Sequence, residues 1–221
     1  MGAGRWIVCR LLAVALPGAA APGIASGGQS VALAATGPEG RPAAGVVVYL
    51  PGVRAPAVQP PVVVDQRDEA FVPSISVVRA GSDVQFTNSD PTSHHVYSFS
   101  RPNAFALPLY KGRDRLVQRF SRPGVVVLGC NIHDSMLGYV VVVDSTRSGV
   151  TGPDGRVILT DVPAGSHVVR AWAPGLDRIS PPDVGVVEVG DSTPATLSFR
   201  LEVPGHAPGP KKRGALAGGD Y

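Results

Sequence analysis

The stretch "LGCNIHDSMLGYVVVVD", residues 128–144, decides the fold. Cys130, His133 and Met136 fall within seven positions, and four consecutive valines follow, bounded by Gly138-Tyr139 and Asp144. A β-branched run with glycine and aspartate at its ends reads as a buried strand. "GVVVLG", residues 124–129, reads the same way on the other side. The residues from Cys130 to Met136 therefore hang on a short loop between two apolar strands.

Working outward, more short strands appear: "PVVVDQ" (61–66), "ISVVRAG" (75–81), "SDVQFTN" (82–88), "HHVYSFS" (94–100) and "LVQRFS" (116–121). With 27 Gly and 22 Pro punctuating 221 residues, and apolar residues at 44%, the composition predicts an all-β chain with ample core. The spacing suits a sandwich or Greek-key barrel. Farther out lie "SVALAA" (30–35) and "AGVVVYL" (44–50), joined by the turn "TGPEGRP". Beyond Asp144 the turn recurs as "TGPDGR" (151–156), followed by "VILTDVPAGSHVVRAWAPG", "VGVVEVGD" and "ATLSFRLEV". The tail 204–221 is rich in Gly, Pro and basic residues and is expected to be disordered.

Residues 1–25 read as a secretion signal. Arg5 precedes an apolar run from Trp6 to Ala21, and Gly23 and Ala25 set a cleavage site before Ser26. A membrane anchor is the alternative, but Arg10 and Pro17 interrupt the run, and a span needs about 20 apolar residues. The expected location is periplasmic or secreted, with no membrane span after signal removal. Loss of Arg5 and Arg10 takes two from the 20 basic residues, which then nearly balance the 17 acidic ones. The sequence pI near 9.1 thus overstates the positive charge, and no basic face interleaved with aromatics points to nucleic acid.

Cys9 would leave with the signal, making Cys130 the only cysteine of the mature chain, as Met136 is the only methionine after Met1. A lone thiol in an oxidising compartment is a liability unless bound or buried. The histidine pair His94-His95, on a loop just before a strand, offers a further ligand. One thiolate and two imidazoles with a weak thioether form the blue-copper donor set, in which the sulfurs favour Cu(I) and the imidazoles tolerate Cu(II). The pattern contains no glycine-rich phosphate loop and no H-E-x-x-H. A Cys/His hydrolase fits poorly, since both side chains on one tight loop point at one centre. Structural zinc, with Asp134 as fourth donor, is a competing reading.

At this point the central segment resembles a cupredoxin, close to plastocyanin and to plastocyanin-like methylamine utilization proteins. The "F-x-N-x-x-x-x-x-H-x-V" pattern matches Phe86, Asn88, His94 and Val96, and "C-x-x-H" matches Cys130 and His133. The resemblance implies a Greek-key sandwich over 58–145 and one copper ion held by His94, Cys130 and His133, with Met136 as a candidate axial ligand. It places His95, Asn88 and Asp134 beside the site, although the alternative that His95 is the ligand stays open. One departure stands out: the family spaces its methionine farther from the loop histidine than the "H-x-x-M" found here, so Met136 is either axial or a filler. The resemblance further implies a one-electron carrier without enzymatic activity, serving a c-type cytochrome or a periplasmic dehydrogenase; the alternative is a copper-binding carrier or a structural interaction protein with no electron-transfer role.

The outer segments, 29–57 and 146–203, resemble the carboxypeptidase regulatory-like domain, a small prealbumin-like sandwich, through "GRPAAGVVVYL" and "TGPDGRVILTDVPAGSHVV". Either one such sandwich is interrupted by the cupredoxin-like segment, or two stand in series. Finally, Arg101, Lys111, Arg113, Arg115, Arg119 and Arg122 face only Asp114 within 101–122. They form either a solvated edge protected by charge or a docking patch for an acidic redox partner.

Overall fold

The structure, a computed structural model, describes residues 28–54, 61–112, 114–176, 181–190 and 194–202. The leader 1–25, the tail 204–221 and Arg113 lie outside the described residues. Among the described residues no helix is long and apolar enough to cross a membrane. The regular structure is all β. It runs β1 (Gln29–Thr36), β2 (Val47–Tyr49), β3 (Val62–Arg67), β4 (Ala70–Val72), β5 (Ile75–Arg79) and β6 (Ser82–Asn88). Next come β7 (Tyr97–Ser98), β8 (Phe105–Ala106), β9 (Leu116–Phe120), β10 (Gly124–Gly129) and β11 (Leu137–Val143). The chain ends in β12 (Ser148–Val150), β13 (Arg156–Val162), β14 (Gly165–Trp172), β15 (Asp183–Val189) and β16 (Ala195–Arg200).

These strands form four sheets. The central pair, β4-β3-β6-β9 and β5-β11-β10-β7-β8, encloses a core of Val64, Phe71, Val84, Phe86, Phe120, Leu128 and Val140. The outer pair, β13-β1-β16 and β12-β2-β14-β15, encloses Val31, Leu33, Val48, Leu159, Val169, Val187 and Phe199. Alternation builds both: in β6, Val84, Phe86 and Asn88 turn inward, and in β1, Val31, Leu33 and Ala35 do. The outer sandwich is assembled from both ends of the chain, since β2 pairs with β12 and β14, and β1 with β13 and β16.

The two sandwiches stack. A third apolar cluster joins Val47, Tyr49 and Trp172 of the outer one to Val125, Val141 and Val143 of the central one. Val140 and Val142 of β11 therefore face one core while Val141 and Val143 face another, so no position in this run is polar. The chain leaves the outer sandwich and returns to it at adjacent points. Leu50 N–H donates to Arg147 O, and Thr146 N–H donates to Val53 O, 3.0 and 2.8 Å long. The buried Arg147 guanidinium donates to the carbonyls of Asp161 and Thr146, so its polar groups are met.

Strands β4, β8 and β12, two or three residues each, are too short to show a period. The expected strand 94–100 contracts to β7. Its first residues turn instead to the segment 107–110: His94 and Tyr110 exchange both backbone hydrogen bonds at 3.0 Å, and Leu107 N–H donates to Val96 O. That detour buries His94.

Candidate metal centre

Cys130 leaves the end of β10 and is 3% exposed, inside the central core cluster. Its neighbour Gly129 pairs with Tyr97, whose ring occupies the place a side chain would take: a Cβ there would lie 2.9 Å from the ring. After Cys130 the chain turns, Met136 N–H donates to His133 O at 3.0 Å, and Met136 is buried in the same cluster. This turn brings His133 within reach of the thiol and buries the methionine.

His94 comes from the other side. Asn88, at the end of β6, is buried and shapes the loop that delivers it. Its Nδ2 donates to Thr92 O and Tyr110 O, and its Oδ1 accepts from Asp90 N–H. His94 Nε2 meets Asp90 Oδ2 at 2.7 Å, and because a carboxylate accepts, this contact favours the tautomer with the ring proton on Nε2 and a lone pair on Nδ1. That Nδ1 lies 3.8 Å from Cys130 Sγ.

His94, Cys130 and His133 each offer a ligand atom within 4.8 Å of the others, and the two imidazole rings are 4.9 Å apart, centre to centre. His133 Nδ1 is buried with no hydrogen-bond partner among the described residues, while its Nε2 faces Glu69 Oε1 at 3.5 Å. An unpartnered buried polar nitrogen costs about 1–3 kcal/mol, a cost that ligation would remove. A metal roughly 2.3 Å from sulfur and roughly 2.0 Å from nitrogen holds these donors about 3.5–3.7 Å apart at angles near 110–120°. The observed 3.8 Å matches this, and the donor set suits a borderline or soft ion.

The electrostatics around the group come from buried polar residues. Burial acts to raise the Asp90 pKa, but hydrogen bonds from Glu69 N–H, the His94 ring and Asp68 N–H outweigh it and hold the carboxyl below its ordinary value. Burial pushes the Tyr110 phenol up, and the charges of Asp65 and Cys130 add to this; its hydroxyl donates to Thr87 O.

Two residues expected beside the ligands lie outside the three-residue group. His95 is one position along an extended backbone from His94, so its ring turns to the opposite face and packs on Tyr97, 5.7 Å between centres. Asp134 lies exposed in the turn and does not join the three-residue group, which removes the fourth donor weighed for zinc. In the basic segment, Arg101, Lys111, Arg115 and Arg122 are exposed, and Arg119 lies 3.6 Å from Asp83. The sequence reading passed over Asp90, Glu69 and Tyr110. Asp90, four residues before His94 in "NSDPTSHH", carries the one visible signal: a carboxylate spaced to reach back to an imidazole.

No family model matches the sequence, and no curated protein is similar to it. Solved structures do align with part of the chain. A copper-containing nitrite reductase from Thermus scotoductus SA-01 is 28% identical over 42% of this chain, with a TM-score of 0.36. The aligned part spans only 25% of the reductase chain. A purple cupredoxin from Nitrosopumilus maritimus is 22% identical, covering 37% of this chain and 98% of its own, with a TM-score of 0.34. A reduced tryptophan-to-tyrosine mutant of amicyanin is 22% identical, covering 43% of this chain and 97% of its own, with a TM-score of 0.36.

Proposed function

We propose that this chain is an exported, cupredoxin-type carrier of single electrons that binds one copper ion through His94, Cys130 and His133. The observation that supports it best is the convergence of a buried thiol and two imidazoles, drawn from two loops, within 4.8 Å. When bound, copper would supply a one-electron couple between Cu(I) and Cu(II). The chain's own residues do the rest. Cys130 gives a soft anionic donor that excludes water by its burial, and Asp90 holds the His94 proton away from the metal side. Met136, buried in the same core cluster as Cys130, would supply a thioether as a further weak donor. Strands β6, β7 and β10 fix the loops, so the donors need little rearrangement when the charge changes.

On this reading the central sandwich is the redox unit and the outer, carboxypeptidase regulatory-like sandwich contributes contact and stability. The leader directs the protein to the periplasm or outside the cell, where a c-type cytochrome or a dehydrogenase would exchange electrons with it. Arg101, Lys111, Arg115 and Arg119 are the proposed docking residues, with Arg113 of the same basic segment joined to them on sequence alone. Raising ionic strength should then slow electron exchange, and rates indifferent to salt would remove these residues from the proposal.

The direct test is a visible absorption spectrum of the oxidised, copper-loaded protein. An intense thiolate-to-copper charge-transfer band that bleaches and returns reversibly with reductant and oxidant supports the carrier reading. A protein that binds copper in one oxidation state only, without that band, is a storage or delivery protein instead.

A further inference from the structure

The hairpin between β3 and β4 is a two-residue turn, Asp68-Glu69, with both residues in the left-handed region at φ 52° and 55°. Such a turn favours Asn-Gly or Asp-Gly, because glycine has no side chain to clash at the second position. Asp68 fits that rule. Glu69 does not, so the turn holds a carboxylate where its own geometry calls for glycine.

Four contacts show what the departure is for. Asp90 Oδ1 accepts from Asp68 N–H at 2.7 Å, and Oδ2 accepts from Glu69 N–H at 3.0 Å, so the Asp90 carboxylate grips the turn by both its amides. The same Oδ2 holds His94 Nε2 at 2.7 Å. The Glu69 side chain then reaches from the turn to His133 Nε2, 3.5 Å away. One turn thus links the outward nitrogens of both imidazoles, although His94 and His133 come from loops on different sheets.

We propose that Asp68-Glu69 and Asp90 form an outer carboxylate clasp that orients both histidines with Nδ1 facing Cys130. Its metal-binding consequence rests on the copper reading above; the orientation itself does not. Asp90 is the strong arm, being almost enclosed, with a side chain 8% exposed. Glu69 is the weak one, with a side chain 60% exposed and a long contact. Both are positioning residues, since neither would touch the metal.

Nitrogen-15 NMR of the metal-free protein at one fixed pH reads the orientation directly. The clasp requires His94, and more weakly His133, to carry its proton on Nε2. A wild-type His94 protonated on Nδ1 overturns the proposal whether or not the protein binds copper. Asp90→Asn should mix the His94 tautomers and weaken copper binding by about 10–100-fold, the usual loss when a histidine ligand's carboxylate partner is removed. The double substitution Asp68→Asn with Glu69→Gly separates function from folding, because it supplies the sequence the turn prefers. It should leave melting of the metal-free protein unchanged or raised, while copper affinity falls by up to about fivefold and the reduction potential shifts. Unchanged affinity and potential in that stable variant would reduce Glu69 to a turn residue and overturn the clasp as drawn. Failure of wild type to bind copper, with the Nε2 tautomers present, would instead sink the copper reading alone.

Discussion

Each sandwich packs two sheets around an apolar core, and the two differ in the polar groups they bury. In the outer one, Thr151 receives and gives hydrogen bonds across the sheet, and Ser145, Thr146 and Arg147 are bonded as well. In the central one, buried polar atoms left without a partner among the described residues include Gln66 Oε1, Ser76 Oγ, His95 Nδ1 and His133 Nδ1. Folding selects against such atoms, and the one on His133 belongs to the candidate ligand group itself, where a bound ion would satisfy it. Among the described residues of the outer sandwich the one such atom is Trp172 Nε1, at the junction between the two.

That contrast can be broken most severely at Cys130. Cys130→Ser should abolish the charge-transfer band while circular dichroism of the metal-free protein keeps its β signature. A persisting band would place the thiolate elsewhere. Next comes the junction. Trp172 is fully buried and packs on Tyr139, 5.2 Å between ring centres, so Trp172→Ala should cost about 3–5 kcal/mol by chemical denaturation. If the sandwiches unfold as one unit, a single transition moves; separate transitions, with only one displaced, would show that the stack is loosely coupled.

A subtler comparison lies within the outer sandwich, between its two near-identical turns. Gly40 and Gly155 share φ 73°, yet a Cβ at Gly40 meets nothing within 4 Å while one at Gly155 would lie 2.5 Å from Ala35 O. Gly40→Ala should cost about 1–2 kcal/mol, and Gly155→Ala about 2–4 kcal/mol, since backbone collision adds to left-handed strain. Equal melting shifts would refute the packing difference.

A smaller effect is expected from pH. Burial acts to raise the Asp65 pKa, but hydrogen bonds from Thr87, Ser89 and Arg67, with the Arg67 charge, hold it below the ordinary carboxylate value. The folded form therefore binds this proton less readily than the unfolded chain. Its stabilisation is complete above the ordinary carboxylate range and fades as pH falls through the depressed value. Wild type should lose stability on acidification more steeply than Asp65→Asn; parallel acid curves would remove Asp65 from the account. Smallest of all, Met136→Leu keeps the apolar volume and should shift the band and the potential without erasing either.

Much of this architecture is visible in the residues themselves. Four valines in β11 announce a strand covered on both faces, and the scarcity of cysteine singles out Cys130 before any geometry is known. His94 is separable from His95 once Val96 is read as an inward neighbour two positions on. What stayed hidden depends on parts of the chain meeting. Asp90 looks like an ordinary turn residue until the amides of Asp68 and Glu69 arrive, and Glu69 gains meaning only when the 130–136 loop comes to rest beside it. Short β4, β8 and β12 owe their extended form to neighbours rather than to propensity.

The side-by-side exit and return at Val53 and Thr146, 93 positions apart along the chain, bear on the order in which the molecule assembles. Bringing the halves of the outer sandwich together while the intervening stretch is random coil means closing a long loop against chain entropy. Once the central strands have condensed, those two points are already neighbours and the closure costs little. Pulse-labelled hydrogen exchange during refolding should accordingly protect amides of β6, β10 and β11 before those of β1 and β16; the reverse sequence would mean that the ends of the chain find each other unaided.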